Sequence, residues 1–529
     1  MPDTVLIAAD TARNSEGAGG TADGTAEEIL GGGRSFRNRL WRLPRADRQA
    51  VASMIRDGVP GAIAPILAAR GMNPVGARAF LEPTLRELLP NPAFFNDMDK
   101  AVARLVRAVE SCERVAIWGD YDVDGATSTA VLARFLRLVG IEPVIHIPDR
   151  IVEGYGPNAP GLLRLRDEHA VTLVCVLDSG TVARDPIGAA TDAGIDVVVI
   201  DHHAAEAELP RAVAVVNPNR LDQAPGFGHV CAAGMTFIFC VGLNAALRDR
   251  GILSRLGVKP DLMALLDIVA LGTVADVVPL SGVNRAFVRR GLEAMARRAN
   301  PGLDALFQVA SLSGHPEAYH CGYVLGPRIN AGGRVGEADT GARLLSSDEP
   351  ALCLELARKL DGWNNERRAI ERLCVTEARA QVEAAGERAS VVAVGEEWHE
   401  GVVGIVAARL KEAYDKPAFV FSHLAGGRDE IGVELLDLAR FAPLKLSLRW
   451  INEHILASSP RVADPEELRE LAETLYAGQL ARDLRKTMSG EVEGLRLEWQ
   501  QAQVELIHCL DRLSDAVADE VRGLQAQLD

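Results

Sequence analysis

Six acidic residues and two histidines stand at positions where they could share one site. The stretch "GDYDVDG", Gly119–Gly125, alternates Asp120, Asp122 and Asp124 between two glycines. The apolar run "VTLVCVLD" stops on Asp178, and "IDVVVIDHH" stops on Asp201, His202 and His203. A further apolar segment, "IVALGTVAD", ends on Asp276. Carboxylates massed together repel one another, and a divalent cation is the physical remedy. Carboxylate with imidazole suits Mn²⁺, and Mg²⁺ is compatible with more retained water. Two such ions about 3.5–4 Å apart would activate a water and stabilise the leaving oxygen of a phosphoester. Asp178 is the candidate bridging ligand because it stands alone at the end of its run. A lone DxD is usually a solvated loop or a helix cap, and a lone His-His pair is usually structural. The conjunction of all four segments favours a metal site.

The surrounding elements must bring these ends together. "RVAIW" reads as a strand, and "ATSTAVLARFLRLVG" after the acidic loop as a helix. The two continuous apolar runs suit central strands of a parallel sheet covered on both faces. "DPIGAATDAG" between them is a short helical crossover, which gives a β-α-β rhythm. Ligands of such sheets sit beyond the carboxyl ends of the strands, where three of the acidic ends would fall. An extended DxD turns both carboxylates the same way. Gly119 and Gly125 would relieve steric limits where the loop turns. Asp276 follows a helical stretch rather than a strand.

The rest of the chain divides by texture. Residues 1–35 lack apolar periodicity and are expected to be a disordered tail. Helices fill residues 36–110 and lead into the α/β domain, which runs to 345. Residues 346–385 form one long charged connecting helix. A second, smaller α/β unit spans 386–436, with "VVAVGEE", "GVVGIVAARLKEAY" and "PAFVFS" as strand, helix and strand. Residues 437–529 read as helical, with a leucine and valine stripe better explained by packing on its own domain than by a coiled coil.

Composition narrows the class. At 529 residues the chain should hold two to four domains. The net charge of −16 disfavours a general nucleic-acid coat protein but leaves room for an enzyme with a local basic groove. No apolar run is long enough for a membrane span, and the start of the chain lacks a secretory pattern. The eight cysteines form no CxxC pair, so buried reduced thiols in a cytoplasmic protein are expected and a zinc cluster is not.

These residues closely resemble the DHH phosphoesterase superfamily, and within it the RecJ-type single-stranded-DNA-specific exonucleases. The motifs, in order, are "GDYDVDGATS", "PDRIVEGYGPN", "VLDSGT", "VIDHH" with "VNPN" after it, "GTVADVVPL", "GPRINAGGRVGEA", "NNERRAIE" and "WHEGVVGIVAARL". They cover residues 36 to about 424. The second α/β unit resembles the DHHA1 domain of this family. The resemblance implies a two-metal enzyme that removes nucleotides from the 5′ end of single strands in DNA repair and recombination. It implies Asp122, Asp124, Asp178, His202 and Asp276 as ligands of Mn²⁺ or Mg²⁺. It implies His203 against the scissile phosphate, with Asp120 supporting. Arg328, Asn330 and Arg334 would face the DNA strand, and His399 would line the DHHA1 wall of the cleft. The plainer alternative for the first three is a Gly-rich turn, and for His399 it is domain packing. A helicase or a single-strand-binding protein is the implied kind of partner.

The chain also departs from that pattern. Where the family carries a "GSGRS"-like loop for a terminal phosphate, this chain has "AGGRD", which keeps Arg428 but sets Asp429 where a serine is expected. A later "GGH"-like motif and an OB-fold are not recognisable. Three competing readings therefore stand beside the exonuclease. One is a phosphodiesterase on short oligonucleotides or cyclic dinucleotides, one is a non-catalytic scaffold, and one is a chain whose second domain folds poorly.

Overall fold

The computed structural model describes residues 46–150, 152–386, 390–396, 398–424 and 428–434. The expected tail 1–35, the segment 437–529 and Cys509 lie outside them. The chain forms two units. The first runs to Gly326 and takes in Gly341–Ala357; the second takes Pro327–Thr340 and the chain from Arg358. Residues 327–340, which the sequence texture places in the first domain, thus cluster with the second unit.

The first unit is built on five parallel strands: β1 (Val115–Trp118), β2 (Val144–His146), β3 (Leu173–Leu177), β4 (Asp196–Ile200) and β5 (Ala214–Val216), in the order β2-β1-β3-β4-β5. The apolar runs of β1 and β3 are buried at every position because helices cover both faces. On one face Ala116, Trp118, Val174, Val176, Val197 and Val199 pack with Leu162, Leu165, Ile187 and Ala190 of the Ala159–His169 and Arg184–Asp192 helices. On the other, the Val123–Leu138 and Ala232–Asp249 helices meet β1, β3 and β4. Strands β2 and β5 were not foreseen. Each has three residues, too few for a periodic signal. The strand order reverses between β1 and β3, and that switch point opens a crevice at the carboxyl ends.

The acidic loop differs from the extended segment expected. Asp122 is the N-cap of the Val123–Leu138 helix and accepts from the Gly125 N–H at 3.0 Å, so Asp124 already lies in the first helical turn. The strand alternation argument therefore does not apply to it. Nor do the two glycines serve a left-handed backbone, since neither has positive φ. They permit close approach: a Cβ at Gly119 would strike Thr129 and Ile147, and one at Gly125 would strike Asp120.

In the second unit, β6 (Val391–Glu396) pairs parallel with β7 (Ala418–Leu424), and β7 pairs antiparallel with β8 (Arg428–Glu434). Strand β8 was not foreseen: Arg428 pairs with Leu424 and begins a strand. The connecting residues Ala425–Gly427 lie outside the described ones. The Glu400–Tyr414 helix and the Pro350–Ala385 helix bury Val402, Val406, Leu410, Cys374 and Ala378 against β6 and β7. Gln381 satisfies the open edge of β6, donating to the Val394 carbonyl at 2.6 Å and accepting its N–H at 2.8 Å. Among the described residues six cysteines are buried and free, Cys112 is exposed, and no helix is long and apolar enough to cross a membrane.

The helix that ends at Asp276, Leu266–Ala275, is held by the Gly282–Met295 helix. Gly291 makes that contact possible, because a Cβ there would collide with the Leu266 carbonyl oxygen and the Ala270 methyl. Gly291→Ala should destabilise the protein by about 1–3 kcal/mol through overpacking. Urea unfolding measures this; an unchanged midpoint would show that the helices separate without penalty.

Candidate metal centre

The acidic ends of the first unit converge at the carboxyl edge of the sheet. Asp120 leaves β1, Asp178 leaves β3, and Asp201, His202 and His203 leave β4. Asp276 is the C-cap of the Leu266–Ala275 helix, so a helix end rather than a fourth strand supplies it. The next residue, Val277, takes φ +60, a left-handed conformation that a β-branched side chain adopts only under local strain.

Three overlapping groups bring their ligand atoms within 4.8 Å of one another: Asp178, His202 and His203; Asp124, His202 and Asp276; and Asp120, Asp122 and Asp178. His202 Nε2 lies 3.2 Å from Asp178 Oδ1, 3.5 Å from Asp124 Oδ2 and 3.8 Å from Asp276 Oδ2. Asp178 belongs to two of the groups. Asp120 also enters one, on the same footing as Asp122.

The carboxylates differ in what the protein gives them. Asp124 Oδ2 and Oδ1 accept the N–H groups of Ala232 and Ala233 at 2.6 and 2.9 Å, the first two residues of the Ala232–Asp249 helix. That helix end favours negative charge. Asp201 is richer still. Its Oδ1 accepts from His202 N (2.7 Å), His203 N (3.1 Å) and His203 Nδ1 (2.7 Å), and its Oδ2 from Thr181 N (3.0 Å). By contrast, one oxygen each of Asp120 and Asp178 is buried with no hydrogen-bond partner. Orphaned anionic oxygens facing imidazole and carboxylate donors are what a hard or borderline divalent cation fits. Asp178 holds φ +59, a left-handed turn that Asp and Asn tolerate better than other side chains.

Protonation follows these surroundings. Burial pushes Asp178 well above the carboxylate range, and Asp124, Asp122, Asp120 and Asp276 add to it. Asp120 is raised in the same way, by burial and then by Asp122. Burial raises Asp124 too, and Asp122 adds to it, although His202 and the backbone bonds oppose the change. Burial would also raise Asp201, but the His203 hydrogen bond and both imidazoles outweigh it and hold the carboxyl far below its usual value. The two histidines separate. Burial leaves His202 below the ordinary imidazole value, whereas Asp201 overcomes burial at His203 and lifts it to about 9.

Tyr155, quoted within a motif but given no role, is part of the site. Its hydroxyl donates to the Asp178 carbonyl at 3.0 Å and lies 3.3 Å from the His203 ring nitrogens. Its ring meets Tyr121, over which Arg150 sits 5.4 Å from the centroid. Thr181 and the two asparagines of "VNPN" were likewise given no role; the motifs contained them, but their long-range partners were not readable.

The other expected site residues lie in the second unit, and Arg328, Arg334 and His399 have partners there. Arg328 Nε binds Asp361 at 2.9 Å. Arg334 donates to the Gly401 carbonyl at 2.9 Å, and His399 Nδ1 caps the Glu400–Tyr414 helix by accepting from Gly401 N. Asn330 lies on the Gly326–Val335 helix, and Arg428 opens β8.

Comparison with known proteins gives a consistent result. Residues 114–273 match the DHH family, N-terminal domain. The chain is 34% identical to the single-stranded-DNA-specific exonuclease RecJ of Dickeya dadantii, across 74% of this chain and 67% of that protein. It is 33% identical to the Bacillus subtilis protein of the same name, across 72% of this chain and 47% of that one. The chain thus spans from about half to two-thirds of the length of these relatives. The crystal structure of RecJ in complex with Mn²⁺ from Thermus thermophilus superposes with a TM-score of 0.59 at 27% identity, covering 76% of this chain and 60% of that one.

The orphaned oxygens make a thermal prediction. An ionised Asp178 costs stability at neutral pH, because its folded carboxyl is raised above the unfolded value. Asp178→Asn keeps the left-handed turn and removes the charge. In chelator the variant should melt a few degrees above the parent. Mn²⁺ should raise the parent's melting temperature, by about 2.7 kcal/mol of stabilisation at a hundredfold excess over Kd, and leave the variant nearly unmoved. A variant with the parent's full Mn²⁺ response would sink the assignment of Asp178 as a ligand.

Proposed function

The chain belongs to the RecJ family of DHH phosphoesterases, and from that premise we propose that it is a metal-dependent exonuclease that degrades single-stranded DNA from the 5′ end. The observation that carries this reading is the convergence of Asp120, Asp122, Asp124, Asp178, His202 and Asp276 with buried, unpartnered carboxylate oxygens. Asp124, His202 and Asp276 would hold one ion, and Asp120 and Asp122 another, with Asp178 between them. This gives Asp120 a place among the ligands beside the supporting role expected of it. Two such ions, Mn²⁺ or Mg²⁺, would supply Lewis acidity to a phosphodiester and lower the pKa of the attacking water.

The protein's own residues do the rest. His203, half-exposed and bonded through Nδ1 to Asp201, would present its ring to the scissile phosphate as a charge-assisted donor. Tyr155 keeps that ring and the Asp178 turn together. Arg328, Asn330 and Arg428 are assigned to strand contact on the family resemblance. Arg334 and His399 are assigned there too, and their bonds to Gly401 give them a second task in fixing the first turn of the Glu400–Tyr414 helix. The setting is DNA repair and recombination in the cytoplasm, with a helicase or a single-strand-binding protein as the natural supplier of single strands.

The deciding experiment is digestion of 5′-labelled and 3′-labelled single-stranded oligonucleotides with Mn²⁺, beside a duplex control. Immediate release of labelled mononucleotide from the 5′ end alone is expected. Chelator or Asp178→Asn should reduce it to background. Preference for two- to five-nucleotide substrates, or no cleavage by a protein that binds Mn²⁺, would overturn the reading in favour of a short-substrate phosphodiesterase or a scaffold.

A further inference from the structure

The histidine pair is held in an unusual way. The last ladder bond of β4 on this side is Asp201 N to the Val216 carbonyl, at 3.0 Å. Beyond it, all four backbone polar groups of His202 and His203 are taken by side chains. Asp201 Oδ1 accepts both N–H groups. Asn219 Nδ2 donates to the His202 carbonyl at 2.5 Å, and Asn217 Nδ2 donates to the His203 carbonyl at 2.9 Å. The two asparagines brace each other, since Asn217 Oδ1 accepts the Asn219 N–H at 2.7 Å. Asn217 also donates to Thr181 Oγ1 at 2.8 Å, and the Thr181 N–H returns to Asp201. Asn219 donates as well to the Gly228 carbonyl at 3.0 Å.

We propose that Asn219 and Asn217 are positioning residues with unequal tasks: Asn219 sets the metal-binding pose of His202 directly, whereas Asn217 sets His203 directly and reaches His202 only through the Asn219 N–H. The inference rests on the exonuclease reading for what the two histidines do. The inequality follows from peptide geometry. The His202 carbonyl and the His203 N–H share one rigid plane. That plane, pinned by Asn219 at one end and Asp201 at the other, fixes ψ of His202 and φ of His203. The next plane, pinned by Asn217 at the His203 carbonyl, fixes ψ of His203 alone. Loss of Asn219 therefore leaves the plane between the two histidines held by Asp201 alone and loosens both imidazoles, whereas loss of Asn217 loosens His203 directly and His202 only at one remove. Partners that orient a ligating side chain are worth about 10–100-fold in metal affinity.

The test uses the full chain, with calorimetric titration of Mn²⁺ beside turnover of a single-stranded oligonucleotide. Asn219→Ala should weaken Mn²⁺ binding by about 10–100-fold, and raised Mn²⁺ should recover part of the activity. Asn217→Ser should weaken Mn²⁺ binding clearly less than Asn219→Ala does, while lowering kcat by about tenfold or more with little recovery by Mn²⁺. Gly228→Ala is the control for folding: Gly228 is exposed, and a methyl there would collide with Asn219 Oδ1, so it should reproduce the Asn219→Ala shift in a well-folded protein. Parent-like Mn²⁺ affinity in both Asn219→Ala and Gly228→Ala would overturn the proposal, as would equal loss of affinity in Asn217→Ser. A parent that binds Mn²⁺ without cutting DNA would overturn the exonuclease reading instead, and the calorimetry would still decide whether Asn219 positions His202.

Discussion

Burying carboxylates beside one another is the constraint on which this structure turns. Asp120, Asp124, Asp178 and Asp201 are each almost wholly buried, and they crowd one edge of one sheet. Each ion removed from water costs several kcal/mol unless something replaces the solvent. The fold meets that cost unevenly. Asp124 receives a helix N-terminus and Asp201 a set of backbone N–H groups. Asp122 caps the Gly125 N–H, and Asp120 and Asp178 keep a buried oxygen that accepts no hydrogen bond, that of Asp178 facing His202 Nε2 at 3.2 Å. The uneven supply is informative. A fold that needed these groups only for stability would satisfy them all or exclude them. Leaving oxygens open at the strand-order switch point directs an external positive charge to that place.

Much of this was legible in the sequence because strand ends are a one-dimensional signal. Continuous apolar runs ending in Asp178 and Asp201 specify buried parallel strands and place their ends at one rim. The Asp276 helix was legible for a similar reason. What escaped the reading was set by contacts between distant segments. Asp124 starts a helix because Asp122 caps Gly125, and it is bonded by residues 108 and 109 positions later. The short edges β2 and β5 carry no period of their own and exist because longer neighbours template them. The two glycines of the acidic loop were expected to relieve steric limits, and the partners that set those limits became visible only in the fold. Close approach of Asp120 and Thr129, not backbone freedom, excludes a side chain there.

The second unit shows the same limit from the other side. Arg328, Arg334 and His399 were picked out by motif, and motifs report residue type without partner. In the structure Arg328 meets Asp361, and Arg334 and His399 both meet Gly401. Gly401 is glycine because a Cβ would collide with the Arg334 backbone. Groups that hold a turn together can also touch a ligand, but their removal would then change architecture and binding at once. That coupling separates them in kind from Asp178, whose open oxygen has no architectural task.

The residue that names the superfamily's motif illustrates the distinction most sharply. Asp201 sits among candidate ligands, yet it belongs to none of the three ligand groups. Its Oδ1 already accepts three donors and its Oδ2 a fourth, so its lone pairs are engaged inside the protein. Those same bonds hold its charge firmly, and the charge acts on the neighbouring ring rather than on an ion. The consequence is two adjacent histidines with different environments: His202 dry and turned toward Asp124, Asp178 and Asp276, His203 half-exposed and bonded to Asp201. An imidazole that ligates must offer a free lone pair, and one that meets a phosphate should carry a proton. One buried carboxylate, by binding both backbone N–H groups and only one ring, sets the two histidines apart.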